Sequence, residues 1–131
     1  MLFLNFEPSS INSFCIQNNQ YEFVKVIEEY KIPAKNFMLE IKEDEISNEN
    51  ALKSFCAFYK ELGFSIALDD FGTGNSTFGR INLIKPDLIK IDKSLFIDIK
   101  QNPINKEIVK SISKMCKNIG TQVLAEGVED K

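Results

Sequence analysis

Two adjacent carboxylates, Asp69 and Asp70, leave the apolar run Ile66-Ala67-Leu68 and enter the glycine-rich segment Phe71-Gly72-Thr73-Gly74. An aspartate at the end of a buried strand is costly to keep charged unless a cation or hydrogen-bond donors compensate it, and two neighbouring carboxylates also repel each other. A divalent ion removes both penalties. An Asp-Asp pair can equally well cap the turn that follows it, so the pair has to be weighed with the other acids. The chain contains no histidine. Histidine-based triads and imidazole ligands are thereby excluded, and carboxylates, amides and lysines are left for acid/base or metal chemistry. Cys15, Cys56 and Cys116 are odd in number and widely spaced. They fit neither a zinc site nor a disulfide framework, and Cys56 and Cys116 read as small core residues.

The elements that must position these acids follow from the apolar pattern. Short strand-like runs alternate with segments of helical period, which favours βα units and a parallel sheet. Five strands are expected at residues 2–6, 37–41, 64–69, 87–92 and 122–126. Three amphipathic stripes lie between them: Phe23, Val24, Ile27 and Tyr30; Leu52, Phe55, Cys56, Tyr59 and Leu62; Ile104, Ile108, Ile112, Met115 and Ile119. Gly63 and Gly120 fall just past the second and third, where a left-handed cap is wanted, and Asn102-Pro103 offers an N-cap and a first-turn proline. Residues 75–85 suggest at most a short helix. The 131 residues, 44% of them hydrophobic, are enough for one globular domain.

Side chains alternate along a strand, so giving one face to the covering helices fixes the other. With Leu2, Leu4 and Phe6 outward, Asn5 points inward; Leu39 and Ile41 leave Glu40 inside. Ile66 and Leu68 leave Asp69 inside, Ile89 and Ile91 leave Lys90 and Asp92, and Val123 and Ala125 leave Glu126. Five strands thus deliver polar residues to one surface, close to the strand C-terminal ends, where α/β folds build their sites. Each has a plain alternative: Asn5 as a turn residue, Glu40 as part of a solvated run, Lys90 as a partner of Asp92, Glu126 as a cap. Oxygen donors without sulfur or imidazole suit Mg²⁺ or Mn²⁺ better than zinc. A lysine among them either neutralises surplus charge or orients a water or phosphate oxygen. The net charge of −3 and the absence of a basic block argue against DNA or RNA as partner, and an anionic substrate would need a local cation. No apolar run spans a membrane and no signal peptide is evident, so a cytoplasmic location is expected.

In order along the chain, these residues resemble the motifs of the EAL-domain phosphodiesterases, which hydrolyse the bacterial messenger cyclic di-GMP. Asn5 with Pro8 and Ser9 is similar to the family's Asn-x-x-Pro element, and Leu39-Glu40-Ile41-Lys42-Glu43 to its Glu-x-x-Glu strand end. Asp69-Asp70-Phe71-Gly72-Thr73-Gly74 is similar to its Asp-Asp-Phe-Gly-Thr-Gly loop, Lys90-Ile91-Asp92 to its Lys-Ile-Asp strand, and Ala125-Glu126-Gly127-Val128-Glu129 to its Ala-Glu-Gly-Val-Glu strand end. The resemblance implies that Asn5, Glu40 and Asp69 bind one divalent ion, Mg²⁺ or Mn²⁺. Asp69, Asp70 and Glu126 would serve a second ion and a water, and Lys90 would orient that water. Glu129 would add an acid, Glu43 would hold the loop of residues 71–76, and Gly72, Thr73, Gly74 and Asp92 would belong to the substrate and loop region. The implied product is the linear dinucleotide pGpG.

The resemblance has departures. The family's name-giving Glu-Ala-Leu motif precedes the Asn-x-x-Pro element and has no counterpart here, nor do the later glutamine and last strands. Asn75 stands where the family usually has an aromatic residue. Residues 1–131 are therefore expected to be a single partial EAL domain. The fold would be α/β, a partial TIM-type (β/α) barrel of about five parallel strands with covering helices, short of the ~250 residues usual for a closed barrel. Weak or absent hydrolysis by this chain alone is expected, along with a homodimer or higher assembly through its open sheet edges. The alternative is a catalytically incomplete module that binds cyclic di-GMP or a protein partner without turnover.

Overall fold

The computed structural model describes residues 1–15, 22–42, 46–73 and 78–127; Glu43, Gly74, Asn75 and Glu129 lie outside the described residues. Five strands, β1 (Leu2–Asn5), β2 (Phe37–Lys42), β3 (Ser65–Phe71), β4 (Leu88–Ile91) and β5 (Gln122–Ala125), form one parallel sheet in the order β1-β2-β3-β4-β5. Among the described residues five helices accompany them: α1 (Pro8–Asn12), α2 (Glu22–Glu29), α3 (Glu49–Glu61), α4 (Phe78–Ile84) and α5 (Pro103–Ile119). Parallel crossovers are almost always right-handed, so a strand order without reversal sends every helix to the same face. That is the arrangement of a barrel wall rather than of a doubly wound sheet.

The two faces differ accordingly. Leu39, Ile41, Ile66, Leu68, Ile89 and Ile91 are all fully buried on the helical face, against Leu52, Phe55 and Tyr59 of α3. Aromatic rings fill the space at this end of the core, with Phe55 and Tyr59 at 4.7 Å between centroids, Phe6 and Phe55 at 5.1 Å and Tyr59 and Phe64 at 5.3 Å. Met38, Ala67 and Leu88 form a small separate cluster on the other face. Each precedes by two residues a polar inward residue, Glu40, Asp69 and Lys90, so an apolar floor lies one inward step below the acids.

Caps delimit the helices as their sequences suggest. Asn48 accepts from the Ala51 amide at the start of α3. Asn102 accepts from the amides of Ile104 and Asn105 ahead of α5, which ends on Gly120 at φ 76°. Residues 78–84 of the doubtful stretch do form a short helix. Helix α1 was not foreseen: its five residues are too few to show a period, yet they bury Ile11 completely. Asn12 at its end accepts from the amides of Ser47 and Asn48, anchoring the start of α3.

Several expected core positions are open instead. Leu2 is exposed because β1 pairs on one side only among the described residues, and Tyr30 and Leu62 are exposed because they fall just beyond the ends of α2 and α3. Ile104, Ile108 and Ile119 of the third stripe are exposed too. Only Ile112 of that stripe is buried, with Met115 half-buried, because α5 touches the sheet along part of its length. Strand β4 starts at Leu88 and ends at Ile91, so Asp87 and Asp92 flank it rather than belong to it.

Candidate metal and hydrolase site

Strand β2 places Glu40 inward with only 6% of its surface exposed, and β3 places Asp69 at the same value. From β4, Lys90 reaches between them. Its ammonium lies 2.8 Å from Glu40 Oε1, 3.0 Å from Asp69 Oδ1 and 2.7 Å from Glu126 Oε1. Burial alone would lower the Lys90 pKa, but the hydrogen bonds it donates to Glu126, Glu40 and Asp69 outweigh that and hold it above its ordinary value. Glu126 follows β5 directly, and its amide donates to Ile91 O at 3.2 Å, extending the strand pairing by one residue. Asn5 stands opposite Glu40 in the β1–β2 register.

Strict alternation would send Asp70 to the helical face, away from Asp69. A bulge prevents this. Leu68 pairs with Ile89 and Phe71 with Ile91, so both aspartates stand opposite the single residue Lys90. Asp70 takes the extra residue's strain with φ 56°, and its amide donates to Asp69 Oδ1 at 3.0 Å. The inserted residue restores Phe71 to the core, where it is 4% exposed. The trace of this bulge in the sequence is the interval of three, rather than two, between the outward residues Leu68 and Phe71.

The bulge turns both carboxylates to the same rim. One ligand oxygen each from Asp69, Asp70 and Glu126 fall within 4.8 Å of one another. Burial and then the Asp69 charge push the Asp70 carboxyl above its usual range, against the pull of Lys42. The donors are all hard oxygens, and the acids outnumber the buried lysine, so the set fits one or two Mg²⁺- or Mn²⁺-like ions. Thr73 Oγ1 donates to Asp70 O at 3.1 Å and ties down the turn. Gly72 has φ 105°, which a side chain would strain, and a Cβ there would lie 2.5 Å from Leu95 Cδ1 and force that methyl to move. Asp92 caps the turn Lys93–Leu95 through the Ser94 amide at 2.8 Å, and hydrogen bonding to Ser94 keeps its carboxyl below the usual range. Lys42 was not foreseen as a site residue. It lies on the inward side two residues after Glu40, with its ammonium 3.8 Å from Asp70 Oδ2.

A sequence profile of the family described as EAL domain matches residues 2–131. The chain belongs to the EAL domain family. Among relatives of this EAL domain, the cyclic di-GMP phosphodiesterase PdeF of Escherichia coli K12 is 31% identical over 129 residues, covering 98% of this chain and 17% of that protein. Among solved structures, the standalone EAL protein of Vibrio cholerae O395 in its c-di-GMP-bound form superposes with a TM-score of 0.85 at 30% identity, over 98% of this chain and 54% of that one. Klebsiella pneumoniae BlrP1 in a manganese and cyclic di-GMP complex superposes with a TM-score of 0.87 at 27% identity, over 98% and 33% of the two chains. The EAL domain described here thus spans about half of the Vibrio protein and about a sixth of PdeF. Among the described residues, no helix is long and apolar enough to cross a membrane.

Proposed function

We propose that this chain provides the catalytic rim of a cyclic di-GMP phosphodiesterase that opens one of the two phosphodiester linkages to give linear pGpG. The observation that carries the proposal is the convergence of Asp69, Asp70 and Glu126 within 4.8 Å beside the Lys90-bridged Glu40. Named relatives and cyclic di-GMP-bound neighbours support the choice of substrate. Asn5, Glu40 and Asp69 would hold one divalent ion, Mg²⁺ or Mn²⁺, and Asp69, Asp70 and Glu126 a second. Ions so held lower the pKa of a water and stabilise charge on phosphoryl oxygens.

The protein's own groups do the rest. Lys90 fixes the orientation of three carboxylates and keeps two buried anions tolerable. To orient the attacking water it must exchange one of those three bonds. Glu126 is the partner free to yield, because its side chain is 33% exposed against 7% and 8% for Glu40 and Asp69. Asp70, beside Asp69 on the same rim, is placed by geometry to take the proton that the water releases. The bulge and the Gly72 turn hold Asp70 beside Asp69.

Incubation of the chain with cyclic di-GMP and Mn²⁺, followed by chromatography for pGpG, tests this function. Weak product formation, lost by at least about 100-fold in Asp69→Ala, is the result that supports it, since one carboxylate serves both ions. Saturable binding of cyclic di-GMP with no product from wild type favours a binding module instead, for which the full commitment of Lys90 to three acids is the supporting observation. Self-association is a further part of the proposal. Strands β1 and β5 each pair on one side only among the described residues, and unpaired edges favour assembly. A monomer in light scattering would count against it. The three cysteines are unpaired, consistent with a reducing, cytoplasmic setting.

A further inference from the structure

The geometry points to Lys42 as a substrate-contacting residue that receives a phosphodiester anion at the mouth of the site. The inference rests on the phosphodiesterase reading and adds a residue to it. Among the described residues four carboxylates, Glu40, Asp69, Asp70 and Glu126, line the rim, and the one buried ammonium, Lys90, is already bonded to three of them. A cyclic dinucleotide brings two negative phosphodiesters to this anionic surface. It must approach from the solvent side of the acids, because the apolar cluster of Met38, Ala67 and Leu88 closes the other side.

Lys42 stands on that solvent side. It ends β2 with the same inward parity as Glu40, one step further toward the rim, and is in register with Asp69. Its side chain is 59% exposed, and its contact with Asp70 Oδ2, at 3.8 Å, is long. Exposed pairs of this kind contribute little to stability, so the ammonium is held near the site without being consumed by it. An ammonium on a flexible stem, next to the acid placed beside the attacking water, can exchange Asp70 for a phosphoryl oxygen with almost no loss. The stem of Lys93 lies beside Gly127, just after β5. Among the described residues, Lys42 is the exposed lysine whose ammonium stands beside a rim acid.

The test compares the wild-type chain with Lys42→Met and Lys42→Glu. Cyclic di-GMP binding is measured by calorimetry with Ca²⁺ at two salt concentrations, KM and kcat with Mn²⁺, and thermal midpoints throughout. Lys42→Met should weaken binding and raise KM by about five-fold, with kcat changed far less, as removal of one well-placed charge pair implies. Lys42→Glu should weaken binding further, and both variants should lose part of the wild-type salt dependence. Wild-type binding matched by Lys42→Met in affinity and salt dependence overturns the role of Lys42 and leaves the phosphodiesterase reading standing. Losses of binding that track a lowered thermal midpoint assign Lys42 a structural role and likewise overturn it. A folded wild type that neither binds nor cleaves cyclic di-GMP overturns the underlying reading, and this inference with it.

Discussion

Lys90 is surrounded by three carboxylates, two of them almost wholly buried, so removing its charge leaves two anions in the interior with no counter-ion. Breaking a buried pair from one side costs about 3–5 kcal/mol, far more than the pair contributes when intact. Lys90→Met should therefore lower the unfolding free energy by about that amount in urea denaturation without added metal. Divalent ions should recover more stability in this variant than in wild type. A Lys90→Met protein as stable as wild type in chelator would mean that the carboxylates take up protons or water at little cost. Asp70 is the other decisive residue. Its left-handed backbone converts two consecutive side chains, which alternation would separate, into neighbours on one rim.

Among the elements, the β3 exit is constrained at Gly72. Gly72 has both a positive φ and a Leu95 methyl in the space a Cβ would fill. Gly72→Ala should cost at least about 1–2 kcal/mol from the backbone alone, more once Leu95 is displaced, and should depress activity because the same turn fixes Asp70. Chemical denaturation and turnover measured on one preparation check both effects. Helix α3 offers a prediction of different origin. Burial pushes the Cys56 thiol up to about 12, with Lys60 pulling weakly the other way. The folded value thus lies above the unfolded 9.0, so the neutral thiol stabilises the fold fully below pH 9 and the contribution is lost as pH rises toward about 12. Cys56→Val, which has no group to ionise, should move the alkaline unfolding midpoint upward; an unmoved midpoint would place the alkaline transition elsewhere.

At the scale of the whole molecule, ion binding and folding are linked. The acids come together only when β2, β3, β4 and β5 are in register, so the unfolded chain offers no comparable site. Saturating Mn²⁺ should raise the thermal midpoint, by the equivalent of about 2.7 kcal/mol at a hundred-fold excess over Kd. The gain should vanish in Asp69→Ala. An equal gain in that variant would locate ion binding away from this rim. The parallel order without reversal matters here too, because it keeps all helices on one face and leaves the other for polar groups.

Much of this was legible in the chain itself. Strand and helix periods are local properties, so five strands, the caps Asn102 and Gly120 and the inward placement of Glu40, Asp69, Lys90 and Glu126 follow from residue spacing alone. The ordered motifs carried the family. What spacing does not contain is the relation between strands. The bulge that pairs Leu68 and Phe71 with successive alternate residues of β4, the bonding of one lysine to acids on β2, on β3 and just after β5, and the arrival of Lys42 beside Asp70 all depend on register. The exposure of Ile104, Ile108 and Ile119 likewise depends on what packs against α5, not on the helix's own amphipathic sequence. Periodicity is set within a segment, whereas distances across strands are set by the packed sheet, and the chemistry of this rim resides in those distances.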